Sequence, residues 1–556
     1  MSELADSPCP PDELLGAAAY RVAELIAESS APAVALAQLQ QLVADRTADA
    51  PGEDPVIREL VMQLMPGRAG NLAALPSHLG ISELTQRHPR KHAHLRTHGS
   101  RDREDFRCPR PPQTSRFGGQ QVVREEATVS DHVVSTSQQS SAVTAARPRI
   151  LVIGGKLDHV RKARELGLDV VHVQFPDEYD RGHWPYVDQA LLLDYGDVDR
   201  LLPLVRALHE AYPFQAAVSL YELGLLPAAR VNEALGLGGE SVATVELLLD
   251  KWRMRQQLAA KAVSPVAAAV GRSARDIQEF VEAHGLPVIV KPIRESGSLG
   301  VFRIRDQDEV DSVTERFRAL DDGHWTAKDL SFADSFSEFL IEEYLDGAEI
   351  SVETLSFDGR HVVVALTDKE TGPGFVELGH SQPSDCSPET LDEVRRLVTD
   401  FLDAVGLRNG AAHTEVKLTS RGPRIVESHN RIGGDRINDL TEIAYGVDME
   451  RYALGAGFDV VEPLTAAPRP RGGAAIRFLT PEPGRIVEVT GLDAVRADPA
   501  YVDLQLKVGP GDDVPPLTWN EDKVGHILAR GATRTEAVAH ARRLAAAIDI
   551  RTEPLA

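Results

Sequence analysis

Gly410-Ala-Ala-His-Thr-Glu-Val-Lys-Leu-Thr-Ser-Arg-Gly-Pro-Arg-Ile-Val-Glu-Ser-His-Asn-Arg-Ile-Gly-Gly-Asp435 is the stretch whose reading decides the fold. Alternating residues run to Leu418, Ser420 to Pro423 supply turn chemistry, and Arg424-Ile-Val-Glu returns, so the segment predicts a β-hairpin. On it Glu415 and Glu427 come close across the strands and face one side. Two carboxylates held together repel unless a cation joins them, and hard oxygen donors in this arrangement suit Mg²⁺ bridging nucleotide phosphates. His429, two residues on, lies on the same side of an extended strand and is a third ligand or a hydrogen-bond donor. Arg431 beside Gly433-Gly434 is placed to reach a phosphoryl group or a carboxylate.

Upstream, weaker signals accumulate in a fixed order. Lys251 opens a helix (Asp250-Lys-Trp-Arg-Met-Arg), and Lys291 ends a short apolar strand, Pro287-Val-Ile-Val-Lys-Pro, where a rigid element can aim its ammonium at phosphate oxygens. Directly after it, Glu295-Ser-Gly-Ser-Leu-Gly-Val offers Ser296, Gly297, Ser298 and Gly300, a combination of backbone N–H groups and hydroxyls that suits a lid over the β- and γ-phosphates. Phe339-Leu-Ile-Glu-Glu-Tyr-Leu-Asp-Gly-Ala-Glu then ends a strand and turns at Asp346-Gly347. That leaves backbone groups around 343 to 345 for an adenine edge and puts Glu349 where it can accept from ribose hydroxyls. Taken singly, each of these is an ordinary surface charge, a Gly/Ser turn or a plain hairpin. Their joint order raises them above that.

Toward the N-terminus, Arg149-Ile-Leu-Val-Ile-Gly-Gly, Asp169-Val-Val-His-Val-Gln, Ala190-Leu-Leu-Leu and Phe214-Gln-Ala-Ala-Val-Ser-Leu alternate with helical stretches, which predicts a parallel, doubly wound sheet. Gly154-Gly155-Lys156 at the first strand end has neither dinucleotide nor P-loop spacing and reads as a tight turn. Tyr221-Glu222, after a later strand end, is a candidate for a substrate amino group. Residues 1–85 carry helical periodicity, for instance Val56, Ile57, Leu60, Val61 and Leu64. Residues 86–147 are rich in Arg, His, Ser, Gln and Pro, with His88, His92, His94 and His98, and read as a solvated basic linker. Beyond about 472, apolar alternation and a closing helix, Thr535-Glu-Ala-Val-Ala-His-Ala-Arg-Arg-Leu, predict a sheet-plus-helix lobe without chemistry of its own.

Composition bounds the class. The chain has 556 residues, enough for several cores, with 42% hydrophobic and 26% charged residues. A net charge of −24 argues against a chain-wide nucleic-acid surface. The three cysteines, Cys9, Cys108 and Cys386, are scattered without zinc or CxxC spacing, and no apolar run reaches the length of a membrane span. The sequence reads as a soluble cytoplasmic protein with no membrane and no nucleic-acid partner, and a homodimer is the expected assembly.

Lys251, Lys291, Ser-Gly-Ser-x-Gly, Glu-Glu-Tyr-Leu-Asp-Gly-x-Glu and the closing Glu…Glu-x-His-x-Arg-x-Gly-Gly-Asp together resemble the ATP-grasp superfamily, and within it the L-amino acid ligases and related carboxylate-amine ligases. The resemblance runs from about 148 to the C-terminus. It implies an ATP-grasp fold of α/β and α+β type: an N-terminal α/β domain (148–247), a central subdomain (248–345), a C-terminal grasp subdomain (346–471) and the lobe at 472–556. It implies phosphate contacts from Lys251 and Lys291, and adenine contacts along Glu342, Glu343 and Leu345, the last two by backbone. It also implies a ribose contact from Glu349 and Mg²⁺, with Mn²⁺ as a substitute, on Glu415 and Glu427. Many members carry Asn where His429 stands. The implied reaction is attack of a carboxylate on the γ-phosphate of ATP, then of an amine on the acyl phosphate, releasing ADP and phosphate, with amino acids as substrates. The glycine-rich loop Thr367 to Pro383 falls where these ligases cover the acceptor site, making Glu377 and His380 candidates for substrate contact or for receiving the amine proton. A bicarbonate-activating carboxylase and a non-catalytic nucleotide-binding module are the competing readings, and the retained Glu415, Glu427 and Arg431 speak against the second.

Overall fold

The structure is a computed structural model that describes residues 147–321 and 337–555; the helical 1–85 region and nearly all of the 86–147 linker lie outside the described residues. The chain opens with β1 (Arg149–Ile153), β2 (Asp169–Gln174), β3 (Gln189–Leu192) and β4 (Ala216–Val218), which form a parallel sheet in the order β3-β2-β1-β4. Ile150 to Ile153 are wholly buried, as a parallel strand covered by helices on both faces requires, which is why the run is apolar without alternation.

Next come β5 (Ala268–Gly271), β6 (Val288–Pro292), β7 (Phe302–Ile304) and β8 (Phe339–Glu343), an antiparallel sheet ordered β5-β8-β6-β7. The helices Ala274–His284 and Gln307–Asp321 accompany it, and Ile277, Phe280, Val290, Val313, Phe317 and Phe339 form its core. Leu299, from the middle of the Ser-Gly-Ser-Leu-Gly turn, is buried in that same core and anchors the turn.

The remaining strands are β9 (Ala348–Phe357), β10 (Arg360–Thr371), β11 (Glu377–Gln382), β12 (Gly410–Thr419), β13 (Gly422–His429), β14 (Gly473–Leu479), β15 (Gly484–Thr490), β16 (Tyr501–Leu506), β17 (Asp513–Val514), β18 (Gly525–Gly531) and β19 (Asp549–Glu553). Eight of them make one antiparallel sheet, β13-β12-β9-β10-β11-β14-β18-β16, and three make a small sheet, β17-β15-β19. The C-terminal block therefore shares its main sheet with the preceding subdomain through β14, β16 and β18.

β8 and β9 belong to different sheets, so residues 344–347 are a crossing between subdomains rather than a hairpin. Gly347 makes the crossing possible: its φ is +84° and an added Cβ would lie 2.0 Å from the Leu418 carbonyl oxygen.

Candidate active site

Strand alternation decides which side chains meet. Register pairs Glu415 with Glu427 and His413 with His429 across β12 and β13, and Glu415 with Ser351, Lys417 with Glu349 and His413 with Glu353 across β12 and β9. Because side chains alternate at period two, residues 349, 351 and 353, residues 413, 415 and 417, and residues 427 and 429 line one face of the sheet, all of them charged or titratable except Ser351. Like charges directly opposite destabilise a sheet, so each carboxylate of the opposed pair needs its own cation.

Glu427 takes Lys251, whose Nζ lies 3.0 Å from Oε2 and also donates to the Glu295 carbonyl. Burial pushes Glu427 up, but Lys251 outweighs it and holds the carboxyl well below its ordinary range. The same pair raises Lys251 despite the opposing effect of burial. Glu415 takes Lys369 of β10, with the His413 Nε2 3.7 Å away. Burial is again opposed, and Lys369 keeps Glu415 below its ordinary range.

Lys369 is the hub of the site. Its ammonium reaches Glu377 at 2.6 Å and Glu349 at 3.2 Å as well as Glu415, with its side chain only 1% exposed. Burial works to lower it, yet Glu377, Glu415 and Glu349 together raise it well above its ordinary value. Glu349, Glu377 and Glu415 hold oxygens within 4.8 Å of one another, a grouping able to hold a metal ion. Glu427 and His429 are not in that group. The imidazole of His429 sits between two acids instead, Nδ1 2.5 Å from Glu222 Oε1 and Nε2 3.4 Å from Glu427 Oε1. Although burial lowers it, Glu222 and Glu427 raise its pKa, which favours a doubly protonated donor over a metal ligand. Glu222 also receives Arg431 Nε, so Arg431 ties the first α/β unit to the end of the hairpin. Burial would raise Glu222, and Arg431 with His429 holds it well below the ordinary carboxylate range.

Lys291 lies 2.7 Å from Glu342, which also binds Arg255 Nε; Arg255 in turn donates to the Ile425 and Val426 carbonyls at 2.7 and 3.1 Å. Glu342, proposed from sequence as a nucleotide contact, is thus occupied in holding the lysine and the hairpin. Burial opposes ionisation, but Arg255 and Lys291 bring its carboxyl down to about 2. The Glu343 N–H donates to the Ala267 carbonyl at 3.0 Å and the Tyr344 N–H to the Pro287 carbonyl at 3.3 Å, so those two hinge donors are taken. The Glu343 carboxylate accepts from the Ala267 N–H and from Arg421. Glu349 lies 3.3 Å from Lys417 in addition to Lys369.

The segment read as an acceptor loop is mostly strand. Thr367–Thr371 end β10, Pro373–Phe375 make a tight turn, and Glu377 and His380 lie on β11, paired with β10 and β14. Gly-Pro-Gly provides the turn, and the flanks are held as a strand by neighbours on both sides. His380 Nε2 stands 3.6 Å from both Glu377 and Asp435, and Lys523 reaches Asp435 at 2.5 Å. Burial lowers His380, while Glu377 and Asp435 prevail and raise it. In the glycine turn, Ser298 at φ +64° donates from Oγ to the Phe375 carbonyl at 3.3 Å, and Gly297 and Gly300 both have φ +67°. The structure therefore gathers Lys251, Lys291, Glu349, Glu377, His380, Glu415, Glu427, His429 and Arg431 into neighbouring ion-pair clusters, with Ser298 joined to the turn after β10.

Sequence reasoning missed Lys369, Asp435, Lys523 and Asn520 as participants. Lys369 left a faint signal, a lone lysine three residues past the apolar run Val362–Leu366 of a strand whose middle is buried.

Comparison with known proteins agrees with this geometry. Residues 284–439 match the ATP-grasp domain family model, 160–239 the ATP-grasp N-terminal domain, and 477–553 the L-amino acid ligase C-terminal domain 2. The chain carries an ATP-grasp domain. The crystal structure of L-amino acid ligase from Bacillus licheniformis superposes on this ATP-grasp chain with a TM-score of 0.64 at 23% identity, covering 74% of it and 100% of the other. Alanine–anticapsin ligase of Bacillus subtilis is 29% identical over 259 residues, 44% of this chain and 54% of that protein. Dapdiamide A synthase of Enterobacter agglomerans is 24% identical over 272 residues, 47% of this chain and 62% of that protein. The matches therefore span between about half and two thirds of the length of these two curated relatives. Among the described residues, no helix is long and apolar enough to cross a membrane.

Proposed function

We propose that the protein is an ATP-dependent carboxylate-amine ligase that joins amino acids through an acyl phosphate, releasing ADP and phosphate. The observation that carries this is the pairing of two buried lysines from the central subdomain with carboxylates, Lys251 on Glu427 of the hairpin and Lys291 on Glu342 at the hinge, beside a second acidic group at Glu377. Phosphoryl transfer asks for position and charge, and this site offers both without a nucleophilic side chain. The likeness to alanine–anticapsin ligase and dapdiamide A synthase favours amide formation over bicarbonate activation.

In this reading Lys251 and Lys291 bind the phosphates, the turn 296–300 covers them, Leu345 offers the remaining hinge backbone to adenine, and Glu349 accepts from the ribose. The donor set fits Mg²⁺ or Mn²⁺: Glu415 and Glu427 are opposed, half-buried and kept ionised by neighbouring cations. When bound, such a cation neutralises phosphate oxygens. Arg431, steadied by Glu222, orients the substrate carboxylate or the transferring phosphoryl group. His429 donates, and is not required as a ligand. Glu377, kept ionised beside Lys369, orients the amine, and His380 between Glu377 and Asp435 holds the proton nearest to it.

The test is ATP turnover with mixed amino acids, resolving nucleotide and amide products. ADP with a new amide supports the reading, whereas AMP and pyrophosphate reject it. Glu427→Gln is expected to abolish turnover, and unchanged turnover sinks the metal assignment.

A further inference from the structure

Three loops from different parts of the chain meet at the edge of the site. The glycine turn touches the turn after β10 through Ser298 and Phe375. Residues 518–522 of the C-terminal lobe, outside the stretch that matches the ATP-grasp domain, touch both. Asn520 N–H donates to the Gly297 carbonyl at 3.4 Å, its Oδ1 accepts the Glu377 N–H at 2.9 Å, and its Nδ2 donates to Glu377 Oε2 at 3.4 Å. A backbone N–H can only donate, so the Glu377 contact fixes which amide atom is oxygen and leaves the NH₂ facing the carboxylate.

The segment is built to hold this position. Asp522 accepts from Thr518 N and Oγ1 at 2.7 Å and from Trp519 N and Nε1 at 3.1 Å. Trp519 packs against the core of the central subdomain, the same core that anchors Leu299 of the glycine turn. The loop is thus pinned by its own aspartate, seated by an indole on the phosphate side, and offers one amide to the substrate side.

We propose that Asn520 is a positioning residue that brackets Glu377 at two points and ties it to the closed glycine turn, so that the C-terminal lobe couples covering of the phosphates to orientation of the amine. This rests on the ligase reading above. Closure of the turn brings the Gly297 carbonyl to Asn520, and Asn520 sets the Glu377 carboxylate; displacement of the turn loosens both.

The test compares Asn520→Ala and Asn520→Asp in the full chain, with MgATP and an equimolar mixture of the twenty protein amino acids. Asparagine and aspartate are nearly isosteric, and aspartate keeps the acceptor for the Glu377 N–H while turning the NH₂ into an oxygen against the carboxylate. A packing role leaves N520D close to the parent and N520A the poorer variant; positioning reverses that order. Expected is a fall of about tenfold in amide formed per ADP in N520A, the size of a lost hydrogen bond to a charged group, and a larger fall in N520D. The KM for ATP stays within about twofold, because the lysines are untouched. Amide hydrogen exchange with MgADP alone reads the same bracket without turnover: the Glu377 amide and residues 296–300 exchange faster in both variants than in the parent. If the parent forms no amide, the ligase reading fails while the exchange arm still judges the bracket. Parent-like exchange and parent-like amide yield in N520D overturn the proposal.

Discussion

Replacing Lys369 with Met removes the hub cation while keeping an unbranched side chain of similar length. Glu349, Glu377 and Glu415 then face each other with oxygens within 4.8 Å. At an effective dielectric constant near 20, each such pair repels by about 3 to 4 kcal/mol. The cluster relieves this by protonating one glutamate, which at pH 7 costs about 3.5 kcal/mol for an ordinary carboxyl. That agrees with the roughly 3–5 kcal/mol typical of removing one partner from a buried ion pair. Lys417 remains beside Glu349 and His413 beside Glu415, so the lower end of that range is expected. A chain with several subdomains does not unfold in one step, so hydrogen exchange of the β9, β10 and β12 amides is the suitable assay. Lys369→Met should lower their opening free energy by about 3 kcal/mol, and millimolar Mg²⁺ should restore much of it, more than it adds to the parent. Protection in the variant within about 1 kcal/mol of the parent, or the same Mg²⁺ response in both, would refute the reasoning.

Two further outcomes follow from the hinge. The Glu342 carboxyl is held down to about 2 by Arg255 and Lys291 against the opposing effect of burial. Its contribution, about 3 kcal/mol, is therefore present above its unfolded value of 4.5 and lost as pH falls toward 2. Opening free energies of the β6 and β8 amides, read by hydrogen exchange, should differ fully between the parent and Glu342→Gln at pH 6 and converge through that window; a difference that does not narrow with falling pH speaks against the ion triad. Gly347→Ala forces a Cβ against the Leu418 carbonyl at φ +84°. It should cost roughly 1–3 kcal/mol and raise the KM for ATP more than it lowers kcat, measured by steady-state ADP release. An unchanged KM would free the crossing from any part in nucleotide binding.

The parallel unit was legible because a strand covered on both faces must be apolar throughout, so Ile150 to Ile153 announce themselves without help from distant residues. The hairpin was legible because its turn and both carboxylates lie within one short segment, and the register places Glu415 opposite Glu427 as the spacing predicts. What stayed hidden depends on long-range closure. Asn520 meets Glu377 across 143 residues of sequence and Lys369 meets Glu415 across 46. No local period encodes such partners. β11 reads as loop in the sequence because Gly372, Pro373 and Gly374 dominate the segment, whereas its strand is held by β10 on one side and on the other by β14, nearly a hundred positions later. For the same reason the C-terminal alternation predicted strands but not that β14, β16 and β18 would complete the preceding sheet. His429 was placed on the right face; Glu222, which decides its protonation, came from another domain.

The charge wiring gives the proposed chemistry a physical basis. Burying a carboxylate or an ammonium alone is costly, and here the buried and half-buried acids of the site already own a cation: Glu427 has Lys251, Glu342 has Lys291 and Arg255, Glu415 and Glu377 share Lys369, and Glu222 has Arg431. On the proposed reading, Lys251 would pass from Glu427 to a nucleotide phosphate, and Glu427 with Glu415 would hold the divalent cation, so that each charge keeps a partner of opposite sign. No new charge has to be stripped of water without compensation, so binding energy remains for closing the glycine turn. Lys369 steadies that exchange. Its three acids lie on β9, β11 and β12, to either side of its own strand, so with Glu415 given to the cation and Glu349 to the ribose it would still hold Glu377 and keep the acceptor side in register.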